Sequence, residues 1–253
     1  MNISSPAGIH PYSRLGQMEA LEGAIMLERK LEVAANNTSN MNTTGFKQAR
    51  VTFQEFLSRT QDNTARTGKM EKGWADFSQG PARFTGNPFD ILISGQGFFK
   101  IQGPGGDTFY TRAGSFRLDD QKQLVTAEGY PVLGDGAPIV LDDTTGKGVW
   151  LSDDGYFFVD DTAVAKIDVV KFQDTQGLKR VGKNMFSATK ASGPEQVMEP
   201  SLRQGYIEGS NVNPAEQMVQ LIDLYRGYEM QQKSLQAADQ LDDKAVNQVG
   251  KVR

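Results

Sequence analysis

The sequence predicts an α+β protein, with N- and C-terminal helices packed as a coiled-coil-like layer and a central antiparallel β domain between them in the chain. Twenty of the 27 glycines lie between Gly73 and Gly209, together with seven of the ten prolines. Both flanks carry apolar residues at helical spacing, whereas the middle carries short apolar runs separated by turn residues. These observations indicate helix, turn-rich β structure and helix, in that order.

The first flank has the pattern of an amphipathic helix over residues 15–35. Two apolar rows run along it at intervals of three and four residues: Ala20, Ala24, Leu27, Leu31 and Ala34 in one, and Met18, Leu21 and Ile25 beside it. We expect the helix to end where asparagines accumulate from Asn36 onward, because short polar side chains compete for backbone hydrogen bonds. Gly45 is expected to adopt the positive φ of the turn that follows.

The last flank opens with a clear helix start, in which Asn213, Pro214 and Glu216 occupy the N-cap, N1 and N3 positions of a capping box. A heptad-like seam follows through Leu221, Leu224, Tyr228, Gln231, Leu235, Ala238, Asp242, Ala245 and Val249. Met218, Ile222 and Tyr225 widen the apolar face in its first half. Gly227 lies inside this helix, where glycine costs about 1 kcal/mol relative to alanine.

The middle of the chain is predicted to form short antiparallel strands over residues 90–93, 98–102, 108–112, 115–118, 123–126, 138–141, 156–159 and 164–172. Asp154-Gly155 and Glu128-Gly129 suit tight hairpins. Three domain assignments follow. Residues 1–57 and 210–253 form a terminal helical domain, residues 58–80 an extended connector, and residues 81–209 a β-rich domain.

Composition argues against several classes of function. The net charge of −4 gives no positive field for nucleic acid, and the absence of cysteine removes thiol catalysis and thiolate metal sites. The one histidine, His10, lies in a Pro- and Gly-rich segment and is a poor catalytic candidate. We expect no membrane insertion, because no run approaches about 20 apolar residues, and no cleaved leader, because the N-terminus has no apolar core.

Two motifs that could indicate a ligand site fail on spacing. Gly95-Gln96-Gly97 would need a third glycine at position 100, which is Lys100, to bind a dinucleotide. The acidic pairs, such as Asp119-Asp120 and Asp153-Asp154, are expected at strand ends as solvated turns. The sequence therefore predicts no enzyme, no catalytic or metal-binding residue and no cofactor.

An apolar seam needs a surface to pack on, and two such flanks favour assembly over catalysis. The flanks can pair with each other, and what stays exposed can pack against neighbouring copies. Head-to-tail contacts that do not close by rotation generate helical tubes.

The residues that follow the first helix resemble those of a known family, the axial proteins of the bacterial flagellum, which comprise its rod and hook subunits. The shared N-terminal signature is Asn36, Asn37, Asn40, Thr43, Gly45, Phe46 and Lys47. Thr38 and Ser39 depart from it, since an aliphatic residue and an alanine are usual there. Further motifs lie at residues 94–99, 110–116, 124–126 with 129–131, and 205–213 with Met218, Arg226, Tyr228 and Glu229. Gly227 replaces a usual alanine.

The resemblance covers residues 15–241 and implies a structural role. A rod subunit of this kind is exported unfolded through the flagellar type III export apparatus and assembles in the periplasm with other rod proteins, proximal and distal. The terminal helices would line the export channel and the β domain would form the outer layer of a shaft that transmits torque. The short stretch 58–84 favours the proximal-rod type over the distal-rod type, which typically has a longer insertion there.

The assembly interface predicted from these patterns comprises Leu21, Ile25, Leu27, Leu31, Asn37, Asn40, Gly45, Phe46, Asn211, Asn213, Met218, Leu221, Leu224, Tyr225, Tyr228 and Leu235. A distal-rod or hook-type subunit of the same family is the first alternative. A surface sugar-binding or adhesin domain with coiled-coil ends is a second, and would require a concave aromatic patch on Phe98, Tyr110 and Tyr130. A periplasmic glycan hydrolase is a third, and would need two facing carboxylates.

Overall fold

The computed structural model describes residues 11–59, 65–142 and 148–249. Two compact units make up this part of the chain. The helical unit contains residues 11–38, 51–59, 65–72 and 214–249, and the β unit contains residues 39–50, 73–142 and 148–213. The predicted α+β class is confirmed, since a helix lies at each end and a largely antiparallel β region between them.

The helical unit is built on two long helices, α1 (Pro11–Ser39) and α2 (Pro214–Val249). The predicted start of α2 at Pro214 is confirmed. Neither helix, over its described residues, is long and apolar enough to cross a membrane.

The first helix ends later than expected. α1 continues to Ser39, so Asn36 lies in its last turn and does not end it. The hydroxyl of Thr38 donates a hydrogen bond to the carbonyl of Ala34 at 2.8 Å, so this polar side chain is satisfied within the helix. Gly45 has φ +66°, as predicted.

The segment predicted as an extended connector contains paired strands. β1 (Ala49–Arg59) and β2 (Ala65–Ala75) form a two-stranded sheet, so much of residues 58–80 is a strand of a sheet and not an open linker. The polar composition of β2 concealed it, because pairing through backbone hydrogen bonds needs no apolar face.

The β unit contains seventeen further strands within its described residues. They are β3 (Ala82–Phe84), β4 (Ile91–Ile93), β5 (Phe98–Gln102), β6 (Thr108–Thr111), β7 (Phe116–Leu118), β8 (Leu124–Thr126), β9 (Leu133–Gly134), β10 (Ala137–Pro138), β11 (Val149–Leu151), β12 (Tyr156–Val159), β13 (Thr162–Lys166), β14 (Val169–Lys171), β15 (Lys179–Arg180), β16 (Met185–Ser187), β17 (Gln196–Val197), β18 (Leu202–Gln204) and β19 (Tyr206–Glu208).

The largest sheet has six strands in the order β15-β16-β6-β5-β14-β17, and its pairs are antiparallel. A three-stranded sheet has the order β11-β12-β13, and the remaining strands of the unit pair as β3-β19, β4-β18, β7-β8 and β9-β10. Alternation along β5 places Phe99 in the main core and Phe98 in a second aromatic cluster. The six-stranded sheet is therefore covered on both faces at its central strand β5.

Two predicted strands differ from the structure. The run 164–172 splits into β13, which pairs with β12, and β14, which pairs with β5. Ile167 is buried between them, so the apolar run continues across the bend and its periodicity does not reveal it. The strand predicted at 138–141 is reduced to β10, which ends at Pro138.

Candidate assembly surface

A row of apolar side chains on α2 is exposed in the single chain. Met218, Ile222 and Tyr225 are each between 52% and 58% exposed. Their spacing of four and three residues places them on one face of the helix. A row of exposed apolar side chains of this kind is a candidate surface for binding another protein.

The predicted seam of α2 lies beside that row, and its residue Gln231 approaches Gly23 of α1 within the helical unit. A methyl group placed on Gly227 would lie 3.6 Å from Leu27 Cδ2, and one placed on Gly23 would lie 3.7 Å from Gln231 Nε2. The two helices therefore contact each other at these glycines. The seam residues are half-buried, namely Leu221, Leu224, Tyr228, Gln231 and Leu235.

The first helix shows the same division into a half-buried and an exposed apolar row. Leu27 and Leu31 are half-buried, whereas Leu21 and Ile25 are 54% and 56% exposed. We define the helical assembly surface as the exposed apolar residues of both predicted rows, Leu21, Ile25, Met218, Ile222 and Tyr225.

Replacing Gly227 with alanine is expected to stabilise α2. The new methyl group would make an ordinary van der Waals contact with Leu27, and alanine is favoured over glycine in a helix interior by about 1 kcal/mol. Thermal unfolding followed by circular dichroism at 222 nm should show a higher midpoint for the helical transition. Gly23→Ala is the matched variant on α1 and should act in the same direction; a lower midpoint for Gly227→Ala would contradict the contact.

Six other residues were predicted at the interface, and the structure buries four of them inside the single chain, Asn37, Asn40, Gly45 and Phe46. Phe46 has no exposed surface, and its ring centroid lies 4.8 Å from the guanidinium of Arg180. Because these four residues are covered within the single chain, the helical assembly surface defined above does not include them. Asn211 is half-buried and Asn213 is exposed.

Three charged side chains meet in the interior of the β unit. Lys47 Nζ lies 2.5 Å from Glu208 Oε1, and Arg112 Nε lies 2.9 Å from Glu208 Oε2. Their side chains are 0%, 4% and 1% exposed for Lys47, Arg112 and Glu208. We call this trio the buried charge node.

Backbone groups also form hydrogen bonds with the Lys47–Glu208 pair. Lys47 Nζ also donates to the carbonyl of Ser78 at 2.6 Å, and the amide of Gly80 donates to Glu208 Oε1 at 2.9 Å. The amide of Gly45 donates to the backbone carbonyl of Glu208 at 2.8 Å. The node therefore ties together the segment after α1, the segment before β3 and strand β19.

The guanidinium of Arg112 binds the loop of Gly95 and Gly97, the glycine pair that resembles a nucleotide-binding motif. Its Nη1 and Nη2 donate to the carbonyls of Gly97 and Gly95 at 2.7 and 2.8 Å. A loop that turns its carbonyl oxygens toward an internal cation presents acceptors, whereas a phosphate requires donors. The loop is thus a structural element of the node.

Burial affects the protonation of the node. Desolvation lowers the pKa of Lys47 below its usual value, because it penalises the charged ammonium, and the Glu208 carboxylate acts in the opposite direction. The charge of Lys47 therefore depends on its partner. A buried pair of this kind is costly to break, because one charge is then left unpaired.

Asn211 joins three segments beside the node. Its Oδ1 accepts from the amide of Gln48 at 2.7 Å, and its Nδ2 donates to the carbonyl of Asp76 at 2.8 Å and to Ser78 Oγ at 3.0 Å. Burial alone would raise the pKa of the Asp76 carboxyl, but hydrogen bonds from Ser78 and the charge of Arg50 lower it. Asp76 is therefore held as a carboxylate near neutral pH.

Sequence reasoning identified the residues of the node as parts of separate motifs but not as one cluster. Lys47 and Glu208 are 161 positions apart, and no local pattern connects them. The available signal was compositional: a lysine, an arginine and a glutamate each lie inside a motif of small and apolar residues, where a charge is expected to be buried and paired.

Comparison with known families covers both flanks and the β unit. Residues 20–47 match the family model described as flagella basal body rod protein, residues 92–161 match the flagellar hook protein FlgE/F/G D1 domain, and residues 203–249 match the flagellar basal body rod FlgEFG protein C-terminal domain. Each matched region supplies one member of the buried charge node, Lys47, Arg112 and Glu208 respectively.

Full-length relatives agree with these matches. Flagellar basal-body rod protein FlgF of Caulobacter vibrioides is 35% identical over 237 residues, covering 92% of this chain and 96% of the relative. Flagellar basal-body rod protein FlgG of Borreliella burgdorferi is 34% identical, covering 88% and 94%. FlgF of Mesorhizobium japonicum is 33% identical, covering 91% and 96%.

These matches, together with the exposed apolar rows of both helices, define a structural axial protein of the flagellum and not an enzyme. The chain belongs to the family of flagellar basal-body rod proteins, as its motifs implied. The aromatic patch required by the adhesin alternative is not an exposed surface, since Phe98 and Tyr110 are buried and Tyr130 packs against the core.

Proposed function

We propose that this rod protein is a subunit of the proximal rod, which assembles with its own copies and with other rod proteins into a helical tube. The tube would transmit torque and surround the export channel. The observation that supports this function most directly is the helical assembly surface, whose five large apolar side chains are more than half exposed in the single chain. Covering such side chains stabilises an assembly by about 25 cal/mol per Å² of apolar surface.

The assignment to the proximal rod is more specific than membership of the rod-protein family. FlgF and FlgG relatives match this chain at nearly the same identity, so similarity does not separate the two types. What supports the proximal type is the short stretch before β3, where β1 and β2 are separated by five residues. A distal-rod or hook-type subunit is the alternative.

We also propose how the subunit is layered in the rod. We assign the two helices, which lie within the predicted ranges 1–57 and 210–253, to the inner layer around the channel, where they would pack in a coiled-coil-like arrangement with neighbouring subunits. Residues 81–209 would form the outer layer. The subunit would reach the periplasm through the flagellar type III export apparatus, which is the route of the family it resembles.

The helical assembly surface is tested by replacing Met218, Ile222 and Tyr225 with serine in the full chain and expressing this variant in cells that lack the parent gene. Swimming in soft agar and the amount of chain in purified basal bodies are the measurements. We expect both to fall by at least about tenfold, because the variant loses several kcal/mol of apolar burial at each contact.

The matched control replaces three exposed polar residues of the same helix, Gln220, Asp223 and Gln232, with serine. It should swim and assemble normally. Tryptophan fluorescence shows whether the rest of the chain folds, since Trp74 and Trp150, the two tryptophans, both lie in the β unit. Incorporation of the apolar variant at parental amounts would overturn the proposed surface.

A further inference from the structure

The β11-β12-β13 sheet carries aromatic side chains on its outer face. Leu151 and Phe157 point into the core, whereas Trp150 and Tyr156 are 42% and 41% exposed. Trp150 stacks on the half-buried Phe158, with ring centroids 4.1 Å apart and an angle of 4° between the rings. Large rings kept at the surface of a small sheet are characteristic of protein interfaces.

Acidic turns lie at both ends of this aromatic face. Asp153 and Asp154 form the turn between β11 and β12, and Asp160 and Asp161 form the turn between β12 and β13. All four are exposed. One cation lies among them, Lys166, whose Nζ is 4.9 Å from the ring centroid of Tyr156. We define the acidic aromatic patch as Trp150, Tyr156 and Phe158 with these four aspartates.

A second aromatic surface of the same unit has the opposite charge. Phe84 is 72% exposed on β3, and its ring centroid lies 5.1 Å from that of Tyr206 on the paired strand β19. Arg203, which is exposed, stacks on Tyr206 at 4.7 Å. The acidic residue of these two strands, Glu208, is buried in the charge node. We define the basic aromatic patch as Phe84, Arg203 and Tyr206.

We propose that the acidic aromatic patch of one subunit binds the basic aromatic patch of a second copy. This contact rests on the proposed assembly function and adds to it a specific interface between β units. Charge complementarity identifies the occupant, because an arginine stacked on one of two neighbouring rings fits a surface on which aspartates flank three rings. Arginine also stacks on exposed aromatic faces, which the Arg203–Tyr206 pair already shows within one chain.

Two different patches on one molecule make a heterologous contact. Each subunit then offers one patch to the copy ahead and the other to the copy behind, so the contact repeats along an open assembly. A surface that bound its own counterpart would instead close a dimer. The pairing therefore favours the helical growth that a tube needs.

The chain contains no cysteine, so single cysteines can be introduced without background. Two full-length variants carry the cysteines, Ala82→Cys on the same side of β3 as Phe84 and Thr162→Cys beside Asp161. They are expressed in the same cells, and purified basal bodies are treated with a short bis-maleimide. Both positions are exposed and leave every charge in place. We expect a covalent dimer containing one chain of each variant, identified by mass spectrometry, and no dimer from either variant alone.

The dependence of the contact on charge is tested in the same cells. Adding Arg203→Glu to the Ala82→Cys chain should reduce the dimer at least about fivefold, and adding Asp161→Arg to the partner chain should restore it. The matched control pairs Ala82→Cys with Gln121→Cys, an exposed turn position outside both patches, and should give no dimer.

The outcomes separate this contact from the proposed function. Three results would overturn the patch pairing and leave the rod function standing. They are incorporation of both cysteine variants without a dimer, a dimer from one variant alone, and a cross-link to a different rod protein instead. Failure of the parent chain to enter basal bodies would overturn both.

Discussion

Replacing Glu208 with glutamine should destabilise the β unit by about 3 to 5 kcal/mol, because it leaves the buried Lys47 and Arg112 without their shared carboxylate. The size of glutamine is close to that of glutamate, so lost packing contributes little. Its single carbonyl oxygen can replace only one of the two carboxylate oxygens, and its amide group places a donor at the other position, where donors already converge.

Urea unfolding followed by tryptophan fluorescence measures this change. Both tryptophans lie in the β unit, so the signal reports that unit. Glu199→Gln makes the same chemical change at an exposed position and should stay within about 0.5 kcal/mol of the parent. A Glu208→Gln midpoint as close to the parent as this control would show that the node does not carry the stability of the unit.

The pH dependence of the variant gives a second readout with a defined sign. Burial lowers the pKa of Lys47 below its usual value of 10.5, so in the alkaline range the unfolded chain binds more protons than the folded one and stability rises with pH. Glu208 opposes that lowering, so without it the pKa of Lys47 falls further and the rise of stability with pH begins at a lower pH. The destabilisation by Glu208→Gln should therefore be smaller at pH 9.5 than at pH 7, because the folded variant can then release the Lys47 proton.

The helices and many strands of this fold could be predicted, because they follow from local periodicity. The start at Pro214 and the turns at Asp154-Gly155 and Glu128-Gly129 depend on residues a few positions apart. Where a bend leaves the apolar pattern intact, as at Ile167 between β13 and β14, the same reasoning joins two strands into one.

The assembly surface and the node show two different limits of sequence reasoning. Periodicity predicted both apolar rows of α2, but whether Leu224 or Tyr225 remains exposed depends on where α1 lies. The node depends on a pairing across 161 positions, for which a single sequence holds no local signal. The family motifs contain the residues of the node, and the folded structure brings them together.

Replacing Gly45 with alanine should destabilise the β unit by about 3 kcal/mol or more, for two separate reasons. Its φ of +66° disfavours any residue with a side chain by about 1 to 2 kcal/mol. The added methyl group would also lie 2.2 Å from the backbone nitrogen of Ala113 and 2.5 Å from the carbonyl carbon of Arg112. Backbone atoms cannot rotate away as a flexible side chain could, so the segment after β6 that contains Arg112 must move, and overpacking adds about 1 to 3 kcal/mol.

Two glycine controls divide the cost of Gly45→Ala into its parts. Gly95 has φ +93° with open space around it, so Gly95→Ala should show the conformational cost alone. Gly148 has open space and no positive φ, so Gly148→Ala should be neutral or stabilise by up to about 1 kcal/mol. In urea unfolding the midpoint should be highest for Gly148→Ala, lower for Gly95→Ala and lowest for Gly45→Ala. If Gly45→Ala cost no more than Gly95→Ala, the close approach of the post-helix turn to the Arg112 segment would be refuted, and with it the reason why this turn positions Lys47 in the node.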